Sequence, residues 1–329
     1  MRKLVFVLFL LAASLLLYLV RPVMWVTPTS SAFSVAPANV KAHVMLLSEK
    51  YAPRTWNEVG GTRQVVSYIQ HHFEAHGGDV YLQRFDVGER EEQANVIARY
   101  GADEGPLVIV GAHYDSYEGT PGADDNASGV AVLLELGTIL KRFPLNNIRL
   151  ELVAFASEEP PHFQTERMGS AQYVSALKES RENPALVLIL EMVGFFTDEP
   201  NSQAYPIPGL ELLYPSVGNF VAVIGNLSPF SPTYSVKVRM LEASSLPVYS
   251  LNAPRFIPGV DFSDHQSFWD AGMNAVMITD TAFFRNPNYH ELTDTTDTLD
   301  YSRMSEVVAG VYAVLKAENE ARQSSDGRN

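Results

Sequence analysis

Three apolar runs in this 329-residue chain end in side chains that bind cations or move protons. Residues 107–110 (Leu-Val-Ile-Val) lead into Gly111-Ala112-His113-Tyr114-Asp115, residues 148–156 lead into Ser157-Glu158-Glu159, and residues 186–190 lead into Glu191. Asp124 and Asp125 stand ahead of a helix-like stretch, and His290 follows the last strand-like run. Each signal alone has a plainer explanation. A His two residues from an Asp is more often a surface pair, two acids before a helix serve as caps and favour its dipole, and a Glu pair suits a solvated turn. Together at strand ends they say more, because ligands of open α/β sheets gather outside the carboxyl ends of the strands. So many carboxylates in one buried place would repel one another and resist ionisation. A divalent cation resolves that conflict. Imidazole and carboxylate oxygens without thiolate suit Zn²⁺, with Mn²⁺ or Co²⁺ as substitutes. A carboxylate shared between two ions lets both be held with few ligands.

The elements that must position these groups alternate between β and α. Residues 61–74 fit an amphipathic helix with Val65, Ile69 and Phe73 at spacings of four, closed by Gly77-Gly78. Strands are expected at 80–85, 94–100, 107–110, 148–156, 186–190 and 275–279, and helices at 126–142, 168–179, 263–271 and 301–322. The run at 107–110 has the continuous apolarity of a strand buried on both faces. This pattern predicts an α/β fold, a three-layer α/β/α sandwich with a mixed, mostly parallel central sheet. The least regular stretch, 195–248, is rich in Pro, Tyr and Ser and reads as substrate-binding loops. No internal repeat is evident.

Composition narrows the function. With 46% apolar residues the chain can build a large core. A formal charge of −14 excludes nucleic acid as a partner. The absence of Cys removes disulfides, Cys-ligated zinc and thiol nucleophiles together. At the N-terminus Arg2 and Lys3 precede an uncharged run of 17 residues, 4–20, then Arg21. As a helix it reaches roughly 25 Å, slightly short of a bilayer core of about 30 Å. Residues 1–26 read as an N-terminal membrane anchor, or as a signal segment cleaved near Ser30 and Ala32, with the rest exported. Residues 27–40 read as a linker, 41–322 as the catalytic domain and 323–329 as a disordered tail.

Gly111-Ala112-His113-Tyr114-Asp115-Ser116, the stretch 121–129 (Pro-Gly-Ala-Asp-Asp-Asn-Ala-Ser-Gly) and Ser157-Glu158-Glu159 resemble the co-catalytic zinc aminopeptidases, which have glutaminyl cyclases as relatives. Ser263-Asp264-His265, Tyr289-His290 and the stretch 294–299 match as well, and the similarity runs from about 42 to 320. The resemblance implies two Zn²⁺ ions per chain, one held by His113, Asp125 and Glu191, the other by Asp125, Glu159 and His290. Asp125, the second acid after Gly-Ala, is the implied bridge. Asp115 would orient His113, Glu158 would act as general base, and Asp264 would support Glu158 by a hydrogen bond. Well-known aminopeptidases of the group carry Asp where this chain has Glu191, one methylene longer. His265 reads as structural and His162 as loop surface. The implied substrates are peptides with a free N-terminus. Single-zinc glutaminyl cyclase chemistry, carboxypeptidase or dipeptidase action, and a non-catalytic ectodomain are the alternatives at this stage.

Overall fold

The structure is a computed structural model that describes residues 2–21, 26, 34–57, 59–88 and 92–326. Eight strands form one mixed sheet: β1 (Asp79–Asp86), β2 (Glu92–Gly101), β3 (Leu107–His113), β4 (Arg149–Phe155), β5 (Leu186–Glu191), β6 (Val221–Gly225), β7 (Val248–Asn252) and β8 (Ala275–Thr279). Their spatial order is β1-β2-β4-β3-β5-β8-β6-β7. The central ladders β4/β3, β3/β5 and β5/β8 are parallel, whereas β1 and β2 run antiparallel on one flank and β6 meets β8 antiparallel on the other. His113 pairs with Phe155 and Glu191 with Thr279. The ends of all four central strands therefore emerge at one edge of the sheet.

Side-chain alternation builds a core on each face. Val108, Val110 and Ala112 of β3 join Leu188 and Leu190 of β5 in one core, while Ile109 and Ile189 join the other. Gly111 allows the close approach in between, since a Cβ there would fall 2.3 Å from Phe155 and 3.0 Å from Ile189. The first core is covered by α2 (Pro37–Met45), α3 (Val59–Ala75), α4 (Gly129–Arg142), α6 (Thr233–Ala243) and α8 (Tyr301–Asp326). The second lies under α5 (Gly169–Ser180) and α7 (His265–Asp270). Helix α4 is buried at every position from Gly129 to Gly137, and the one charge in that stretch, Glu135, is paired with His43 at 3.1 Å. Lys141 and Arg142 in its last turn complement its dipole.

Several expectations change here. The stretch 195–248 holds a complete β-α unit, β6 and α6 leading to β7, rather than loops alone. The short strands β6 and β7, five residues each, sit at the sheet flank and carry too little pattern to stand out. Helix α2 starts at Pro37, a residue suited to a first helical turn, and buries Val40 completely. Residues 27–33, including Ser30 and Ala32, and residues 327–329 lie outside the described residues, whereas Gln323 to Asp326 continue α8.

Helix α1 (Arg2–Val20) ends against the β7 edge. Asn252 Nδ2 donates to the Tyr18 carbonyl at 3.1 Å, Ser250 Oγ to Val20 at 3.0 Å and Lys237 Nζ to Arg21 at 3.0 Å, so the carbonyls left over at its C-terminus are satisfied by the domain. Among the described residues no helix is long and apolar enough to cross a membrane, so the fold lends the transmembrane reading of residues 4–20 no support.

Leu133, fully buried on α4, tests the central layer. Leu133→Ala is expected to cost about 2–5 kcal/mol, read as a lowered denaturant midpoint with an unchanged slope. A midpoint within error of the native protein would contradict the packing described.

Candidate active site

Two strand ends and three turns bring the residues expected from the sequence together. His113 closes β3, Glu191 closes β5, Glu158 and Glu159 follow β4, and His290 stands in the loop after β8. Asp125 arrives from a turn, Ala123–Ser128, in which Asp125 (φ −103°, ψ 89°) and Asn126 (φ −130°, ψ 41°) leave helical geometry. That turn is tied down on all sides. Asp294 accepts from the backbone N–H groups of Asp124 and Asp125 at 2.9 and 3.0 Å. Asn126 donates to the Leu190 carbonyl and accepts from the N–H of Met192, fastening the turn to the end of β5. Asp124 points away from the cluster: its carboxylate accepts from Gly194 N–H and from Asn286 Nδ2. Asp125 is thus left to face the site alone.

The distances have a simple pattern. Asp125 Oδ1 lies 3.4 Å from His113 Nε2, and its other oxygen, Oδ2, lies 3.2 Å from His290 Nε2. Glu191 Oε2 is 3.3 Å from His113 Nε2, and Glu159 Oε2 is 3.4 Å from His290 Nε2. A tetrahedron with bonds of about 2.0–2.1 Å from a central Zn²⁺ to N and O has edges of about 3.3 Å. Two groups, His113-Asp125-Glu191 and Asp125-Glu159-His290, have the proximity needed to hold a metal ion each. Both ring nitrogens of His113 and Glu159 Oε1 are buried with no hydrogen-bond partner among the described residues. Burying such atoms unpaired is costly; a cation at His113 Nε2 and another beside the Glu159 carboxylate would remove that cost, while Nδ1 of His113 faces Asp115. The donor set fits zinc.

The charges agree. Burial opposes a proton on His113, yet Glu191, Glu158, Asp115 and Asp125 together hold its pKa well above the ordinary imidazole value. His290 is likewise disfavoured by burial but raised to about 10 by Asp125 and Glu159. Burial, with Asp125 nearby, pushes Glu159 up to about 8. Burial also raises Glu158 well above the carboxylate range, reinforced by Glu159, Glu191 and Asp264 and opposed by His113. Burial likewise raises Asp125, but the two imidazoles overcome it and hold that group below its usual value. Without metal, the cluster recruits protons to balance its charge.

Supporting residues differ in part from expectation. Asp115 Oδ1 lies 3.4 Å from His113 Nδ1, close enough to face it, but its two oxygens accept the backbone N–H groups of Glu158 and Glu159 at 3.2 and 3.0 Å. It therefore pins the Glu pair as much as the imidazole. Asp264 is fully buried and makes no hydrogen bond to Glu158 among the described residues; it acts on Glu158 as a like charge. Its neighbour Ser263 donates to Glu191 Oε2 at 2.6 Å. His265 is structural as expected, bonding the Val260 carbonyl at 2.8 Å. His162 is buried instead of lying on the surface, its ring edge-on to Trp56 at 5.1 Å, because Trp56 from the segment before α3 covers its loop. His290 has φ +60° and is sandwiched between Tyr117 at 3.9 Å and Tyr289 at 3.8 Å. Stacking on both faces supports a backbone conformation unfavourable for a residue with a Cβ.

A cavity of about 300 Å³ opens from the cluster. Asp125, Glu158, Glu159, Glu191 and His290 form one end, and Phe220, Tyr249, Leu251, Phe262, Met277 and Phe283 contribute to an apolar remainder. No Lys or Arg is among its described lining residues. Tyr289 also lines it; burial and then Asp125, Glu159, Glu158 and Glu191 push its phenol far up, so it keeps its proton.

Geometry alone defines the class: an α/β fold presenting two cation-ligand sets that share one carboxylate. Residues 95–315 match the model of peptidase family M28. Over 326 residues the chain is 40% identical to uncharacterized protein YfbL of Escherichia coli K12, spanning 96% of this chain and 99% of that one. The fold is similar to that of BSAP, a zinc aminopeptidase from Bacillus subtilis, with a TM-score of 0.65 and 17% identity over 84% of this chain and 94% of the other. It is as similar to the glutaminyl cyclase of Fimbriiglobus ruber, with a TM-score of 0.65 and 20% identity over 89% of this chain and 99% of the other. The chain belongs to peptidase family M28.

Cation binding must displace protons from Glu159 and the two imidazoles. Zinc affinity, measured by chelator competition, is therefore expected to rise with pH through about 8, by roughly tenfold per unit for each proton released. An affinity that stays flat between about pH 6 and 9 would contradict the electrostatics described.

Proposed function

We propose that this chain is a zinc-dependent aminopeptidase that uses two ions to hydrolyse the N-terminal peptide bond of its substrate. The observation that carries the reading is Asp125, with one oxygen toward each imidazole, beside Glu158 at the anionic end of an apolar cavity. When bound, the ions would polarise the scissile carbonyl and acidify the attacking water.

The protein's own groups supply the rest. A substrate's N-terminal ammonium is attracted to the carboxylate end of the cavity, and its first side chain enters the apolar part. That part favours large hydrophobic residues at the N-terminus. Cations held beside it would offset the burial that raises Glu158 and favour its ionised form; it then takes a proton from the attacking water as the C–O bond forms and returns it to the amine nitrogen as the C–N bond breaks. Tyr289, which keeps its proton, is placed to donate to the carbonyl oxygen as negative charge builds there. The lack of Lys and Arg in the described lining leaves no cation to receive a C-terminal carboxylate, which favours the aminopeptidase over a carboxypeptidase. Two complete ligand sets favour it over single-zinc cyclase chemistry. Export of the domain is part of the same reading, supported by Arg2 and Lys3 ahead of the apolar run.

Aminoacyl fluorogenic substrates are expected to release free amino acid, Leu, Met and Phe ahead of Glu, and chelator is expected to abolish release. Glu158→Gln should lower kcat about 10²–10⁴-fold with metal content unchanged, and Tyr289→Phe about 10²-fold. Cyclisation of N-terminal Gln peptides without amino-acid release would replace the reading with the cyclase. Full turnover by the Glu158 variant would remove Glu158 as the base.

A further inference from the structure

Arg54 is fully buried and is one of the largest side chains in that state among the described residues. Its guanidinium makes four hydrogen bonds, all to neutral backbone carbonyls from three segments. Nε donates to Tyr114 at 2.8 Å, Nη1 to Leu47 at 3.0 Å and Pro121 at 2.7 Å, and Nη2 to Gly122 at 2.8 Å. Its backbone N–H donates to Ser116 Oγ at 3.2 Å. A planar fork with five N–H donors spreads over three nitrogens and meets all four carbonyls; a lysine ammonium has three donors on a single nitrogen and cannot match them.

The positions of these carbonyls matter. Tyr114 stands between His113 and Asp115, and Pro121-Gly122 shortly precede Asp125. The chain leaves the site after His113 and returns to it at Asp125, and Arg54 bonds across the neck of that excursion. Packing there is tight. Gly122 has φ +59°, and a Cβ on it would fall 2.4 Å from the Asp125 carbonyl and 2.8 Å from Arg54 Nη2. Burial lowers the Arg54 pKa to about 10, offset by Asp294, Asp115, Asp125 and Glu159, so the group stays cationic at neutral pH. A positive charge thus sits beneath the carboxylate cluster without occupying the ligand positions.

We propose that Arg54 is a positioning residue for the metal site, clasping the 114–122 excursion so that His113 and Asp125 are held at the separation one cation requires. The inference rests on the zinc reading above. Arg54→Lys keeps the charge and loses the fork; Arg54→Met loses both. In the full chain, checked for folding by circular dichroism and metal-free thermal unfolding, zinc affinity is measured by competition with a chromogenic chelator. Both variants are expected to bind zinc about 10–100-fold more weakly, with kcat reduced and KM changed less than about threefold. A role in folding alone would lower the unfolding temperature and leave the zinc affinity of the folded protein unchanged, so a folded Arg54→Lys within about twofold of native affinity overturns the proposal. If neither Arg54 variant folds, Ser116→Ala removes the acceptor of Arg54's own N–H, together with the longer bond (3.4 Å) from Ser116 Oγ to the Thr120 carbonyl within the same excursion. A measurable fall in its affinity, about two- to fivefold, supports the clasp, and native affinity overturns it. A native protein that binds no zinc refutes the zinc reading itself and is thereby told apart from failure of the clasp.

Discussion

The structure depends on one unresolved electrostatic demand: buried carboxylates crowd two imidazoles, and both ring nitrogens of one of them, His113, are left without a hydrogen bond among the described residues. Asp125 is the centre of it. Its two oxygens lie 3.4 and 3.2 Å from His113 and His290, and each pairing is completed by a second carboxylate, Glu191 or Glu159. Such a cluster is expensive to fold unless positive charge enters it. Protons can supply that charge, as the raised pKa values of His113, His290 and Glu159 show. Divalent cations would supply it better.

Much of the surrounding architecture serves to keep these groups apart at fixed distances. The parallel central strands deliver His113, Glu191 and the Glu158-Glu159 turn to one edge. Asp294 and Asn126 fasten the turn that carries Asp125, while Asp115 fastens the Glu pair through its backbone. The supporting acids are thus occupied with backbone N–H groups, which leaves the ligand oxygens directed inward. A catalytic constellation held through backbone anchors resists the repulsion that its own charge creates.

Legibility from sequence followed burial and pattern. Strands β3 and β5 were readable because runs buried on both faces are apolar throughout and end directly in His113 and Glu191, while β4, interrupted by Arg149 and Glu151, was marked by the Glu158-Glu159 pair shortly after it. His290 required the resemblance, since a loop histidine has no periodicity to mark it. Strands β6 and β7 were hidden by their shortness within a Pro- and Ser-rich stretch, although they help wall the cavity through Ala222, Ile224, Tyr249 and Leu251. Arg54 was missed for a different reason. Arginine is ordinarily a surface residue, and nothing in the local pattern around it reveals four carbonyls converging from distant segments. His162 misled in the same way, because its cover, Trp56, comes from far away in the chain.

The central claim, one carboxylate shared between two cations, is tested most directly by anomalous diffraction at the zinc absorption edge from crystals grown with zinc. The account predicts two anomalous peaks, one on either side of the Asp125 carboxylate and each within about 2.0–2.2 Å of one of its oxygens. A single peak, or two peaks of which neither touches Asp125, would contradict it.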